Sequence, residues 1–243
     1  DGLHYTLDFA AIEIGYKSGV KAHFFCSPHN PVGTVFSKAE LIELAELAKK
    51  YDVTIFSDEI HGPLTYLDTE FHPFLSVSES AREVGICVTA ASKSWNLAGL
   101  KCATIITAHP KQLERAKSMP MAVHYRASLF GAVASATAYE CFEWLDSALE
   151  TMDSNRTFLA RLLREKLPTV GYRIPDFSYL AWLDLAELKL GADPSEALLE
   201  HGKLALNAGI TFGPESGNFV RLNFATSEEI LSEAISRMVS CVK

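Results

Sequence analysis

The sequence predicts an α/β protein whose larger part is a parallel β-sheet covered by helices on both faces. In the first half of the chain, short and continuously apolar runs alternate with segments of helical periodicity, which is the pattern of βαβ units. Further along, separate strand and helix patterns predict a smaller α+β part. We therefore expect residues 1–150 to form part of a large domain and residues 151–243 to form a small C-terminal domain.

Four apolar runs of strand type predict the sheet of the larger part, at residues 22–26, 53–61, 84–90 and 102–108. Between the first two runs, Ser37 and Glu40 form the S-x-x-E pattern of a capping box. Apolar residues then recur at intervals of three and four up to Ala48, so a helix is expected to connect the first two strands.

The later part of the chain predicts longer helices and fewer strands. Helices are expected over residues 127–150, 153–167, 194–208 and 227–242, and strands over 178–185 and 219–225. Thr226 and Glu229 are expected to form a capping box at the start of the last helix.

Composition excludes several classes of function. The net charge of −8 argues against nucleic acid as a partner, because neutralising phosphates requires a basic surface. No apolar run approaches the ~20 residues that a membrane span requires. The five cysteines are scattered, and no C-x-x-C pattern occurs, which favours reduced thiols in a cytoplasmic protein.

Polar residues follow three of the predicted strands. Asn30 follows the first, Asp58 and His61 end the second, and Ser92 and Lys93 follow the third. Ligands of parallel sheets bind outside the carboxyl ends of the strands, so these side chains are expected to work together. A lysine at the end of a buried strand is rare, and a lysine with a carboxylate and several donors suggests a Schiff base with an aldehyde cofactor such as pyridoxal phosphate.

Three motifs carry a family resemblance: HNPVG (29–33), SDEIH (57–61) and SKSWNLAGLK (92–101). Their order and spacing resemble those of fold-type I pyridoxal-phosphate enzymes of the class I/II aminotransferase superfamily. DEIH, NLAGLK, the opening YTLDFAAIE and the closing FVRLNFA resemble the cystathionine β-lyase (MalY/PatB-like) branch. The resemblance covers essentially the whole chain. It implies a fold-type I large domain, with a mixed, mostly parallel sheet covered by helices on both faces, and a smaller C-terminal α+β domain.

The resemblance implies pyridoxal 5′-phosphate as cofactor and a role for each matching residue. Lys93 would form the Schiff base and then move the Cα proton of the substrate. Asp58 would pair with the pyridinium nitrogen, and Asn30 would hydrogen-bond the phenolic oxygen. His61 stands where many aminotransferases have a tyrosine that contacts this oxygen.

The remaining roles concern the phosphate and the substrate. Ser92 and Lys101 would bind the cofactor phosphate, with Lys101 in a place often held by arginine. Arg221 would bind the substrate carboxylate, which suits the planar guanidinium. Taken alone, each of these residues also has a structural explanation, such as a helix cap, a solvated charge or an ion pair.

The predicted activity is β-elimination from cystathionine or a related S-substituted cysteine, giving a thiol, pyruvate and ammonia. An aminotransferase sharing the first step is the second hypothesis, and a non-catalytic regulatory protein on the same fold is the third. The resemblance also implies a homodimer. Members of the family are longer at the N-terminus, so a glycine-containing phosphate loop and a ring-stacking aromatic residue are expected outside this chain.

Overall fold

The computed structural model describes residues 3–242, which form two compact units. The N-terminal unit comprises residues 6–28 and 35–147. The C-terminal unit comprises residues 148–242 and takes in the short segments 3–5 and 29–34. The chain thus passes between the units several times, the last time after Ser147, and the assignment of domains in the whole protein stays a prediction.

The N-terminal unit contains a four-stranded mixed sheet in the order β1-β2-β3-β4. Its strands are β1 (Ala22–Cys26), β2 (Thr54–Asp58), β3 (Gly85–Thr89) and β4 (Thr104–Ile106). The pairs β1–β2 and β2–β3 are parallel, and β3–β4 is antiparallel. The predicted mixed, mostly parallel sheet is therefore confirmed, with strands somewhat shorter than the apolar runs.

Eight helices begin in the N-terminal unit as the structure describes it. They are α1 (Phe9–Lys17), α2 (Lys38–Lys50), α3 (Glu79–Val84), α4 (Ala91–Ser94), α5 (Pro110–Lys117), α6 (Met121–His124), α7 (Leu129–Ala138) and α8 (Phe142–Lys166). The predicted capping box of α2 is present: the Ser37 hydroxyl accepts from the Glu40 amide at 3.3 Å, and the Ser37 amide donates to the Glu40 carboxylate at 2.8 Å. Five of these helices, α1, α3, α4, α5 and α6, were not predicted from the sequence.

The core of the N-terminal unit lies between one face of its sheet and helices α2 and α3. The predicted apolar face of α2 is at most 1% exposed and packs with Phe25, Ile55 and Phe74. On the opposite face of the sheet, Phe24 stacks on Phe56 with ring centroids 5.2 Å apart and is 82% exposed. The covered face supplies the core that holds the strands in place.

The prediction of one helix over 127–150 and another over 153–167 was wrong about where the break lies. The helix α7 ends at Ala138, and the Glu140 and Cys141 amides bond to carbonyls three residues earlier, which tightens the chain into a turn. The helix α8 then runs without interruption from Phe142 to Lys166. Residues 139–141 contain neither glycine nor proline, so the sequence carries no local signal for this break.

The C-terminal unit contains a second four-stranded sheet, antiparallel throughout, in the order β5-β6-β8-β7. Its strands are β5 (Gly171–Tyr172), β6 (Leu180–Asp184), β7 (Asn207–Ala208) and β8 (Phe219–Asn223). Its other helices are α9 (Pro194–Gly202) and α10 (Glu228–Ser240). The longer strands and both helices match the predictions, except that α9 ends at Gly202 and not near residue 208.

The predicted cap of the last helix was placed one residue too early. Ser227 caps α10, and its hydroxyl accepts a hydrogen bond from the Ile230 amide. Thr226 is instead bound through its carbonyl, which accepts from the buried side chain of Asn155 at 2.7 Å. The same Asn155 amide donates to the Phe224 carbonyl at 2.9 Å and so ties α8 to the end of β8.

Two general expectations can be compared with these residues. No helix within residues 3–242 combines the length and the apolar character needed to cross a membrane. The structure shows no disulfide among the five cysteines, all of which lie in the described range. The predicted cytoplasmic location stays a prediction.

We expect the Glu13→Gln variant to lose stability in a pH-dependent manner. The hydrogen bond from Lys50 and then that from Tyr51 lower the pKa of the Glu13 carboxyl from 4.5 to about 2, so this contact joins α1 to the end of α2 only while Glu13 is ionised. Its contribution is fully present above pH 4.5 and disappears as the pH falls toward 2. Urea unfolding of the full-length protein should show a higher free energy of unfolding for wild type than for Glu13→Gln at about pH 7, a difference that shrinks below pH 4.5 and is lost near pH 2.

A matched control for this prediction is Glu43→Gln, because Glu43 lies on α2 without an ion pair among the described residues. The effect of Glu43→Gln on the free energy of unfolding should not shrink as the pH falls, in contrast to the effect of Glu13→Gln. A difference between wild type and Glu13→Gln that stays constant over this pH range would contradict the assignment.

We expect Gly33→Ala to destabilise the C-terminal unit. Gly33 has a φ of +75°, and a Cβ at this position would lie 2.7 Å from the Cβ of Pro175. Strained backbone and the clash together should lower the free energy of unfolding by about 1–3 kcal/mol. Denaturant unfolding measures this loss, with Gly217→Ala as control, since Gly217 has a φ of −58° and open space around its Cβ position. Equal stability of the two variants would contradict the prediction.

Candidate active site

Asp58 occupies the carboxyl end of β2, at the centre of the parallel strands. Its Cα partners are Cys26 on β1 and Val88 on β3, so three strand ends meet around it. The side chain is exposed, and its Oδ1 accepts a hydrogen bond from the Ile60 amide at 3.1 Å. The carboxylate is therefore held at the edge where ligands of parallel sheets bind.

Lys93 lies on α4, the single helical turn that directly follows β3. Its side chain is half-buried, and no ion pair among the described residues includes it. The turn is anchored by Trp95, whose indole nitrogen donates to the Cys141 carbonyl at 3.2 Å. An amine that is partly withdrawn from water and has no acid partner is suited to covalent chemistry.

Ser92 and Ser94 flank the lysine. The Ser92 carbonyl accepts from the Leu97 amide at 3.0 Å, which closes the loop after α4. Ser94 is 2% exposed, and its hydroxyl oxygen is buried without a hydrogen-bond partner. A buried polar atom without a partner costs free energy unless a ligand or water satisfies it, so this turn is suited to a bound polar group.

The structure places His61 and Lys101 in contrasting surroundings. His61 is 4% exposed, and its carbonyl accepts from the Leu64 amide at 2.9 Å at the start of a short 3₁₀ turn. Lys101 is exposed and follows the 3₁₀ turn Ala98–Leu100 in a left-handed conformation with a φ of 50°. Lys101 could reach an anion from the surface, whereas His61 belongs to the packed loop after β2.

Glu59 is not among the predicted site residues, and its carboxylate supports the strand end that carries Asp58. Glu59 is 6% exposed, and its Oε1 accepts from the Ser57 hydroxyl at 2.9 Å and from the Phe74 amide at 2.8 Å. Burial raises the pKa of the Glu59 carboxyl, against the effect of these hydrogen bonds. Strand alternation was the available signal, because it puts Asp58 on one face and both its neighbours on the other.

In the C-terminal unit, two predicted residues that are 191 positions apart come into contact. Arg221 lies in the middle of β8, and its Nη1 donates to the Oδ1 of Asn30 at 3.0 Å. Its Nη2 donates to the Oδ1 of Asn207 at 3.0 Å, and the guanidinium carbon lies 4.8 Å from the ring centroid of Phe212. Because its oxygen binds Arg221, Asn30 offers its Nδ2 hydrogens as donors to a ligand.

The charge of Arg221 has no protein counter-ion within residues 3–242. Both of its side-chain hydrogen bonds go to neutral amides, and its Nε is buried without a hydrogen-bond partner. Burial lowers the pKa of the Arg221 guanidinium, but an arginine in a protein remains protonated at neutral pH. The structural alternative of an ion pair is therefore not observed, and the site fits a small anion such as a carboxylate.

The predicted site residues thus form two clusters, each described within its own unit. The strand-end cluster consists of Asp58, His61, Ser92, Lys93 and Lys101. The arginine cluster consists of Asn30, Asn207, Phe212 and Arg221. Nothing in the local sequence pattern identifies Asn207 and Phe212, which only the fold brings to Arg221.

The chemistry of the strand-end cluster fits pyridoxal phosphate better than a metal ion. It offers an amine for an aldehyde, a carboxylate for a ring nitrogen, and a hydroxyl and an ammonium for a phosphate. No group of three or more His, Cys, Asp or Glu side chains in the described part of the chain is arranged to hold a metal.

Comparison with known proteins extends these observations. The chain is 42% identical over 234 residues to cystathionine β-lyase of Corynebacterium glutamicum, a match that covers 96% of this chain and 62% of the relative. It is 34% identical to the cystathionine β-lyase PatB of Bacillus subtilis, with the same two shares covered. The chain therefore spans about three fifths of the length of these relatives.

A solved structure gives the same result. The crystal structure of cystalysin from Treponema denticola, which contains a pyridoxal 5′-phosphate cofactor, matches with a TM-score of 0.90 and 29% identity. This match covers 99% of this chain and 62% of cystalysin. This structural match confirms the predicted fold-type I architecture. The family model for aminotransferases of class I and II matches residues 3–238, so the chain belongs to the class I and II aminotransferase family.

Proposed function

We propose that the full-length protein is a pyridoxal-phosphate-dependent carbon–sulfur β-lyase that acts on cystathionine or related S-substituted cysteines. The observation that carries this proposal is Lys93, an amine without an acid partner on the turn after β3, next to the strand that ends in Asp58. The relatives named cystathionine β-lyase support elimination as the reaction type.

Pyridoxal phosphate, when bound, supplies an electron-accepting ring that makes the α-proton of an amino acid acidic. Lys93 would hold its aldehyde, and Asp58 would hold a proton on its ring nitrogen. The residues that would hold the remaining polar groups are Asn30 and His61 at the phenolic oxygen and Ser92 and Lys101 at the phosphate. The contact from Asn30 would come through Nδ2, since its oxygen accepts from Arg221.

The remaining steps rest on residues of this chain. Arg221 binds the substrate carboxylate, which fixes the orientation of the Cα–H bond. The Lys93 amine then takes the Cα proton, and the Cβ–S bond breaks with its electron pair on sulfur. For cystathionine, one water is consumed, and homocysteine, pyruvate and ammonia are formed.

The homodimer is also a proposal. Helices α6 and α7 and the turn between them carry apolar side chains that are largely exposed, among them Tyr125 at 80% and Phe130 at 79%. Exposed apolar patches of this kind mark interaction surfaces in soluble proteins. The choice of a second copy as the partner rests on the resemblance.

Aminotransferase activity is the second candidate, and the family description favours it. Both reactions begin with removal of the Cα proton by the same lysine. They differ in whether the next bond change occurs at Cβ of the substrate or at the cofactor. No residue of the two clusters requires one outcome, so only the products decide.

Borohydride reduction of the loaded full-length protein should attach the pyridoxyl group to Lys93. Peptide mapping is expected to find the adduct at this residue in wild type and in the surface control Lys111→Ala. Lys93→Ala should form no adduct at this position. Its turnover should fall about a hundred- to ten-thousandfold, because the general base is removed. An adduct at another lysine in wild type would contradict the assignment.

Incubation of the full-length protein with cystathionine, without any keto acid, should release thiol and pyruvate in equal amounts. Elimination needs no amino acceptor, whereas amino transfer consumes a keto acid in each cycle. Thiol detection and pyruvate reduction by a coupled dehydrogenase provide the two measurements. Amino transfer that depends on added keto acid, with no thiol released, would establish the aminotransferase instead.

A further inference from the structure

We infer that Asn207 is a positioning residue that holds Arg221 ready for the substrate carboxylate. This inference rests on the role proposed for Arg221. Asn207 pairs with Arg221 in the register of β7 and β8, and its Oδ1 accepts from Nη2 at 3.0 Å. The sequence motifs do not include Asn207, which lies 14 residues before Arg221 in the chain.

Three contacts together fix the plane of the guanidinium. Asn30 binds Nη1, Asn207 binds Nη2, and the ring of Phe212 lies against the guanidinium at 4.8 Å from its carbon. Phe212 in turn meets the edge of Trp182, with ring centroids 5.5 Å apart at 82°. Each Nη nitrogen keeps a second hydrogen, and these hydrogens suit the two oxygens of a carboxylate.

The backbone around Asn207 is held closely. Gly209 follows β7, and a Cβ at this position would lie 2.2 Å from the Ser216 carbonyl oxygen and 2.4 Å from the Phe219 carbonyl oxygen. The chain between β7 and β8 therefore packs directly on itself. This packing sets the positions of Asn207 and Phe212 relative to Arg221.

The type of side chain at position 207 follows from electrostatics. An amide oxygen orients the guanidinium through a charge-assisted hydrogen bond but leaves its positive charge available. A carboxylate in the same place would form an ion pair with Arg221 and compete with the substrate. Asparagine therefore satisfies two needs, a fixed geometry and an uncompensated charge.

The test uses the full-length, cofactor-loaded protein and the variants Asn207→Ala and Asn207→Asp. We expect Asn207→Ala to raise KM about three- to tenfold and Asn207→Asp by more than about tenfold, because uniform binding of the carboxylate is weakened. The rise in KM should exceed any fall in kcat. The inhibition constant of propionate, a carboxylate without an amine, should rise by the same factors.

Two further variants separate the possible failures. Asn218→Asp adds the same charge at an exposed residue just before β8 that gives Arg221 no hydrogen bond, and it should leave the propionate constant within about twofold of wild type. Arg221→Lys should raise KM and the propionate constant, since the planar fork is lost.

If KM and the propionate inhibition constant are unchanged in both Asn207 variants but raised in Arg221→Lys, the role of Asn207 alone would be overturned. Normal constants for Arg221→Lys as well would overturn the role proposed for Arg221. A large effect of Asn218→Asp, equal to that of Asn207→Asp, would show that the charge acts at a distance and would also overturn the positioning role.

Discussion

Parallel pairing of β2 with β1 and β3 is the constraint on which the strand-end cluster depends. Because the three strands run in the same direction, their carboxyl ends lie at one edge, and Asp58 stands at its centre with Cys26 and Val88 as neighbours. The turn that carries Lys93 begins immediately after β3. The covered face of the sheet supplies the rigidity, since α2 and α3 bury their apolar side chains against Phe25 and Ile55.

The two clusters share one electrostatic feature: each contains a basic side chain without an acidic partner among residues 3–242. Arg221 is bound by two amide oxygens and an aromatic ring, and Lys93 has no acid partner in the described part of the chain. A guanidinium charge that is positioned but not neutralised can interact with an incoming anion at little cost in reorganisation. The buried carboxylate of Glu59, in contrast, accepts hydrogen bonds from other groups of the protein and supports the loop after β2.

The strands of the first sheet and helix α2 could be predicted because their sequence signals are local. The apolar runs gave four strands of one sheet, and the capping box at Ser37 and Glu40 marked the start of α2. The break between α7 and α8 could not be predicted, since residues 139–141 contain no helix breaker and tertiary packing decides where the turn forms. The predicted cap at Thr226 is wrong for the same reason: Ser227 caps the helix, and the Thr226 carbonyl accepts a hydrogen bond from the distant Asn155.

By itself, the sequence determined the fold class and the family and proposed most residues of the candidate site, because apolar periodicity and short motifs survive as patterns along the chain. Only the tertiary structure decided which side chains meet. It joined Asn30 to Arg221 across 191 positions, brought Asn207 to the same guanidinium, and turned Glu59 into the core beside the exposed Asp58. These contacts depend on strand register and side-chain direction, which arise when distant segments pack and leave no periodic trace in the sequence.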